Sequence, residues 1–466
     1  MRLLAVFALV VLLSGCQRGK APTIIDYQTL GELRVATRID TMAYRTDDDG
    51  RASGFEHDLL VELGNELGVP VRFVVYPSVQ RALSAVRRGD AHLAAAALAR
   101  NESLRGLRWA PGIRDMKLVI AGLSTLAEEL TSADQLDGHT VTARRGTLAA
   151  QRLRALQKTV PGMKIELVSG RPDAHLLTEL AEGRITLLAT DEVHLAVAAV
   201  LHPELEVALP LSNTAVMAWA LPRHAPQSLV DALTRFVGEA RHTGLVTRLE
   251  DRYLGHIQRL SQTDIAAFVA RMQTRLPRFQ AAFEAAGAAT GVDWRLLAAV
   301  GYQESQWDPF AVSFTGVRGL MMLTDSTAER MGVRDRLDPE QSILGGAKYF
   351  ALIREAIDPE VEEPDRTWMA VAAYNLGLGH LRGARQIARS MKRDNTTWVS
   401  MRGVLPLMSR PSFARRLRAG PARGGEAVIM TENVRAFYDI LRRFEPSAPV
   451  DGAPQAAGSI SSMPPM

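Results

Sequence analysis

Short apolar runs alternate with amphipathic stretches through the first half of the chain. Leu33-Arg34-Val35-Ala36-Thr37 reads as a strand. Leucines at 59, 60, 63 and 67 fall on one helical face, and Gly68 closes a helix predicted over residues 58–67. A second strand is predicted over Val71–Val75, and a second helix over Val79–Arg88 with Gly89 as its C-cap. Strands alternating with helices predict α/β units on a mainly parallel sheet. Such sheets bind ligands beyond the carboxyl ends of their strands.

After Gly255 the pattern turns helical. Residues 281–289 are alanine-rich, Gly291 breaks the run, and Asp293 is a good N-cap for residues 294–300. Glu304 lies four positions after Val300 and seven after Leu297, on the same apolar face. A carboxylate buried there would have its pKa raised by desolvation, as a general acid needs near neutrality. Periodicity alone leaves Glu304 as either a catalytic acid or a helix-end residue. Pro309 disfavours helix at Asp308, so a turn is expected there.

The 466 residues suggest about three structural units. With 47% hydrophobic and 23% charged residues the composition is that of globular protein. Aromatic residues at 6% are too sparse for stacked nucleic-acid platforms, and a net charge of +4 spread along the chain makes no basic patch, so no nucleic-acid partner is expected. One cysteine excludes an intrachain disulfide framework and a cysteine-based metal site. The ten histidines show no metal-ligand spacing, and neither a metal nor a cofactor is expected.

That cysteine has a telling position. A basic start precedes the apolar run of residues 5–13, which has the length of a signal-peptide core and not of a membrane span. Leu13-Ser14-Gly15-Cys16 resembles the bacterial lipobox, whose cysteine becomes the lipidated first residue. Gln17-Arg18 lacks the aspartate that retains such lipoproteins at the inner membrane. The resemblance implies an anchor at Cys16 on the periplasmic face of the outer membrane. From Ser447 the tail is rich in Pro, Ala, Gly and Ser and reads as disordered.

Several words of the first half resemble the family 3 periplasmic solute-binding proteins. They are Gly31-Glu32-Leu33-Arg34-Val35, Gly54-Phe55-Glu56-His57-Asp58-Leu59, Leu136-Asp137-Gly138-His139-Thr140-Val141 with Arg145-Gly146-Thr147, and Arg252-Tyr253-Leu254-Gly255. The resemblance implies two lobes closing on an amino-acid-like or peptide ligand, with the second lobe opening near residues 136–147. It assigns Arg105 to a ligand carboxylate, Asp191 to a ligand amine and Tyr44 to packing on the ligand. Ala99-Arg100-Asn101 and Glu192 depart from the family pattern.

In the second half, Gln303-Glu304-Ser305, Gly316-Val317-Arg318-Gly319-Leu320-Met321-Met322-Leu323 and Ala372-Ala373-Tyr374-Asn375 resemble the lytic transglycosylases, relatives of goose-type lysozyme. Asp338-Pro339-Glu340-Gln341-Ser342-Ile343 with Gly345-Gly346-Ala347-Lys348-Tyr349 fits as well. The fusion of both modules is similar to the membrane-bound lytic murein transglycosylases. The resemblance implies that Glu304 protonates a glycosidic oxygen of peptidoglycan and then, as carboxylate, deprotonates the muramyl 6-hydroxyl. It implies substrate-binding roles for Ser305, Ser313, Gly319, Met321, Met322, Tyr374 and Asn375. Serines 305 and 313 also suit local backbone caps. Register places Met430 where the family carries a tyrosine, which removes a phenolic donor.

The expected fold is therefore a two-lobed α/β periplasmic-binding-protein-like domain followed by a mainly α lysozyme-like domain. The expected boundaries are a leader over 1–16, a linker over 17–30, the binding module over 31–256, the enzyme over 257–446 and the tail over 447–466. The expected partners are peptidoglycan glycan strands, a muropeptide or amino-acid-like effector, and the outer membrane. Two alternatives stand beside this reading: an envelope solute-binding lipoprotein with an inactive lysozyme-like scaffold, and a muramidase that uses water.

Overall fold

The computed structural model describes residues 26–46, 50–255, 260–313, 316–415, 417, 420 and 422–445. Cys16 and the tail from Ser447 lie outside the described residues. The strands in chain order are β1 (Leu33–Thr37), β2 (Arg45–Thr46), β3 (Ala52–Ser53), β4 (Val71–Val75), β5 (Leu93–Ala94) and β6 (Leu107–Trp109). They continue with β7 (Arg114–Leu123), β8 (Thr140–Arg144), β9 (Lys164–Val168), β10 (Leu187–Asp191), β11 (Leu205–Met217) and β12 (Ala220–Pro222).

Two five-stranded sheets result, ordered β4-β1-β5-β12-β6 and β11-β7-β10-β8-β9, with β2 and β3 forming a small hairpin. In the first sheet β1 runs parallel to β4 and β5, with Val35 opposite both Phe73 and Leu93. In the second, β8 lies parallel to β9 and β10, while β7 pairs antiparallel with β10 and β11. The chain crosses between the sheets twice, at residues 110–113 and 218–219. These crossings lie side by side: the Ala110 N–H donates to Trp219 O at 2.9 Å and the Ile113 N–H to Met217 O at 2.8 Å. Two adjacent crossings leave an open-sided cleft between the lobes.

The predicted strands over Leu33–Thr37 and Val71–Val75 and the helix over Val79–Arg88 are present as read. The first long helix begins earlier than expected, at Phe55. Gly54 caps it without a side-chain hydrogen bond, and Asp58, where the sequence predicts the helix to begin, lies in its first turn. The second lobe also begins earlier than residues 136–147 suggested. Its first strand, β7, follows the crossing directly, and its buried run Leu118–Ala121 sits in the middle of the second sheet.

Beyond the sheets the described chain is helical around one apolar core, in which Phe268, Phe283, Trp307, Phe350 and Trp398 are among the fully buried side chains. The helix Trp294–Ser305 runs through that core. It packs against the helices Gln280–Thr290, Pro339–Glu355 and Gly424–Phe444. Gly291 ends the first of these in the left-handed conformation, and the Asp293 side chain accepts from Arg295 N, as the sequence predicts.

Candidate active site

Glu304 is the penultimate residue of the helix Trp294–Ser305. Two non-glycine residues, Gln306 and Trp307, then take left-handed φ of 53° and 56°, a turn that costs on the order of 1–3 kcal/mol per residue. Trp307 holds that turn in place. Its ring is buried against Tyr302 and Phe268, and its indole N–H donates to Ala298 O at 2.8 Å. Glu304 is thereby held half-buried at the helix end. Burial alone pushes its pKa up from 4.5 to about 7, with no charged neighbour involved. Asp308 does not form a pair with it: Asp308 is exposed, in a turn where its Oδ1 accepts from Phe310 N.

A glycine-rich loop over residues 316–323 lies beside this helix end. Gly319 has φ of 82°, and a Cβ there would fall 1.7 Å from Arg336 O, so only glycine fits. The Gly319 N–H donates to Ala311 O at 2.9 Å, and Arg318 and Leu323 exchange backbone hydrogen bonds. Three hydroxyls from three helices then pin the loop's centre. Ser305 Oγ donates to Leu320 O at 2.8 Å, Tyr374 Oη donates to Met321 O at 2.8 Å, and Ser342 Oγ accepts from Met321 N at 3.1 Å.

These contacts revise several expected roles. Ser305 and Tyr374 are buried and spend their hydroxyls on the loop backbone. Met321 is fully buried, packed where Gly346 and Gly301 leave room: a Cβ on Gly346 would come within 2.7 Å of Met321 Cβ. Its side chain is thus core and not a substrate contact. Met322, at φ 48°, keeps part of its surface open, and Asn375 is exposed near the end of the helix Asp365–Leu376. Ser313 Oγ accepts from Val317 N within the turn that leads to the loop. Met430 is buried in the helix Gly424–Phe444.

Two groups went unassigned in the sequence. Ser342 sits within a recognised motif, but its hydrogen bond to the loop follows only from tertiary packing. The Tyr349 ring packs tilted against Tyr374 at 5.4 Å, a neighbour made visible by folding alone.

The interlobe cleft holds a second cluster. Asp191 caps the helix Glu192–Ala199 and lines the cleft, with its Oδ2 2.5 Å from His194 Nδ1. Tyr44 packs instead on Phe73 and His57. Arg105 is exposed outside the cleft lining, where its backbone carbonyl accepts from Arg87. The structure therefore does not bring Tyr44, Arg105 and Asp191 together. Arg38, Asp40, Arg144, Asp173 and His194 occupy the cleft with Asp191. Asp40, Asp173 and His194 approach one another closely enough to hold a metal ion, yet each is already bonded within the cluster.

Comparison with known proteins divides the chain in the same way. Residues 33–107 match the family of bacterial extracellular solute-binding proteins, family 3, and residues 281–397 match the transglycosylase SLT domain. A Nitrosospira multiformis protein is 38% identical over 444 residues, covering 95% of this chain and 92% of its own. A Thiobacillus denitrificans protein is 38% identical, covering 94% and 92%. A Methylobacillus flagellatus protein is 35% identical, covering 96% and 95%. All three bear the name membrane-bound lytic murein transglycosylase F.

Proposed function

Since this chain belongs to the membrane-bound lytic murein transglycosylase F family, we propose that Glu304 alone supplies both proton transfers by which it cuts peptidoglycan. The protein is a peptidoglycan lytic transglycosylase with a family 3 solute-binding module. The protonated carboxyl of Glu304 gives its proton to the oxygen linking N-acetylmuramic acid C1 to N-acetylglucosamine. The C1–O bond breaks and the glucosamine side leaves as an alcohol. The carboxylate then takes the proton of the muramyl 6-hydroxyl, whose oxygen bonds to C1 and closes a 1,6-anhydro ring. Acid and base are one group used twice, and no water is consumed. Glycosidases that use water, or that form a covalent intermediate, need two carboxylates.

The observation that carries this reading is the isolation of Glu304: a half-buried carboxyl with a pKa of about 7 and no acidic partner in its shift. Met322 and Asn375 are assigned to contact glycan, with Ser305, Ser313, Gly319, Met321 and Tyr374 holding the wall they stand on. Digestion of purified peptidoglycan by the full chain should release anhydromuramyl ends, and Glu304→Gln should release them at least about a hundredfold more slowly. Equal release by both forms would remove Glu304 from the chemistry.

The protein is membrane-associated, as its relatives' name states, and among the described residues no helix is long and apolar enough to cross a bilayer. We assign the anchor to a lipid on Cys16 and the site of attachment to the periplasmic face of the outer membrane. Palmitate labelling that survives Cys16→Ser would exclude this anchor. The binding module, assigned to residues 31–256, is taken to sense a muropeptide or amino-acid-like effector for the enzyme over 257–446.

A further inference from the structure

The cleft between the lobes is filled by its own side chains. Arg38 and Asp40 follow β1 in the first lobe, whereas Arg144 ends β8 and Asp173 opens the helix Asp173–Ala181 in the second. Asp173 Oδ2 accepts from Arg38 Nη2 at 2.9 Å and is ion-paired with Arg144 Nη1 as well. One carboxylate thus bridges guanidinium groups from both lobes. A second bridge runs through His194, whose ring nitrogens face Asp191 of its own lobe at 2.5 Å and Asp40 of the other at 2.9 Å. These two carboxylates push the imidazole up to about 10, so it stays charged and donates to both.

All six groups are buried, with Arg38 4% and Asp173 8% exposed. Three anions face three cations, so the cluster is neutral without any added ion. The space left in the cleft is about 40 Å³. That suits a water or two, whereas small-molecule sites typically measure about 300–1,000 Å³.

We propose that Asp173 is an internal ligand of this cleft: it holds the lobes closed without solute, and a carboxylate-bearing solute binds only by displacing it from Arg38 and Arg144. Two guanidinium forks are the donors a free carboxylate would seek, and here the chain presents its own. Removing that carboxylate would take the ion-pair partner from buried Arg144 and the cross-lobe partner from Arg38, which keeps Asp40 of its own lobe, so closure without Asp173 calls for a substitute anion at Arg144. An internal ligand also acts at the high effective concentration of a tethered group, on the order of millimolar or above, which a solute must outcompete. The inference refines the effector reading by stating what an effector must replace. Its test reads lobe separation and not glycan cleavage, so either reading can fail without the other.

Spin labels at Arg81→Cys and Arg152→Cys, exposed positions on a helix of each lobe, report lobe separation in the full chain by pulsed electron resonance. Cys16→Ser removes the only native thiol. Without solute a single narrow distance is expected. Asp173→Ala should broaden it toward longer distances, and formate should restore it where chloride at equal ionic strength does not. A broad distribution in the unmutated cleft, narrowed by L-alanine, would overturn the proposal, as would Asp173→Ala that stays narrow without formate. Broadening that formate fails to reverse would overturn the displacement claim. If Asp173→Ala does not fold, Asp173→Asn keeps the side-chain volume, and the unmutated cleft decides the matter on its own.

Discussion

A carboxyl group lifted by burial from 4.5 to about 7 carries a linkage cost that can be measured apart from catalysis. Below pH 4.5 Glu304 is protonated in both folded and unfolded chains, and the effect vanishes. As pH rises through about 7 the unfolded chain ionises first, and folding loses up to about 3 kcal/mol. The open face of the group reduces that figure. Glu304→Gln should therefore be more stable than the unmutated chain at pH 8 and equal to it near pH 4, which urea midpoints will show. Activity should move the other way. The acid must be protonated to act, so kcat/KM should fall as pH rises past about 7, and Glu304→Gln should lose about 10²–10⁴-fold or more. This residue was legible because it interrupts an apolar helical face. Met321 was misread because it lies in the same motif as residues that face outward, and only the small side chains at 301 and 346 reveal that it turns inward.

The loop over residues 316–323 behaves as one element held from three sides, and its variants should fail together. Tyr374→Phe removes the donor to Met321 O and leaves a buried carbonyl unsatisfied, at a cost of about 1–3 kcal/mol. Ser342→Ala removes the acceptor for Met321 N, with a cost of similar size expected. If both act by placing the loop, each should lower kcat/KM on glycan while leaving the pH at which activity falls unchanged. A shifted pH profile in Tyr374→Phe would mean instead that the phenol acts on Glu304. Gly319→Ala is harsher, since the added methyl meets the Arg336 carbonyl. It should abolish activity with the far-ultraviolet helical signal retained. Periodicity found the helix that precedes this loop, and the motifs placed the loop itself. The pins at 305, 342 and 374 come from helices far apart in sequence, and no local pattern pairs them.

At the scale of the whole molecule the last helix clasps the binding module. Arg435, buried among aromatic and acidic groups, donates from Nη2 to Asp251 O at 2.6 Å and from Nη1 to Asp251 Oδ2 at 3.3 Å. Its Nη1 also reaches Glu432 Oε1 at 3.1 Å, and Glu432 accepts from the Trp398 indole at 2.6 Å. Arg435→Ala would leave buried Asp251 and Glu432 with only the partly exposed Arg402 as cation, a loss of about 2–4 kcal/mol. Calorimetry should show a lower melting temperature and separate unfolding of the two modules where the unmutated chain shows one transition. The two-module order was legible from the change of period near Gly255, but this clasp joins residues 184 positions apart and has no signature in sequence. The claim that most needs testing is that the enzyme cuts glycan without water. Digestion of peptidoglycan in ¹⁸O-labelled water, followed by mass spectrometry of the fragments, tests it most directly. Anhydromuramyl ends free of ¹⁸O are predicted, and reducing muramyl ends carrying the label would contradict the account.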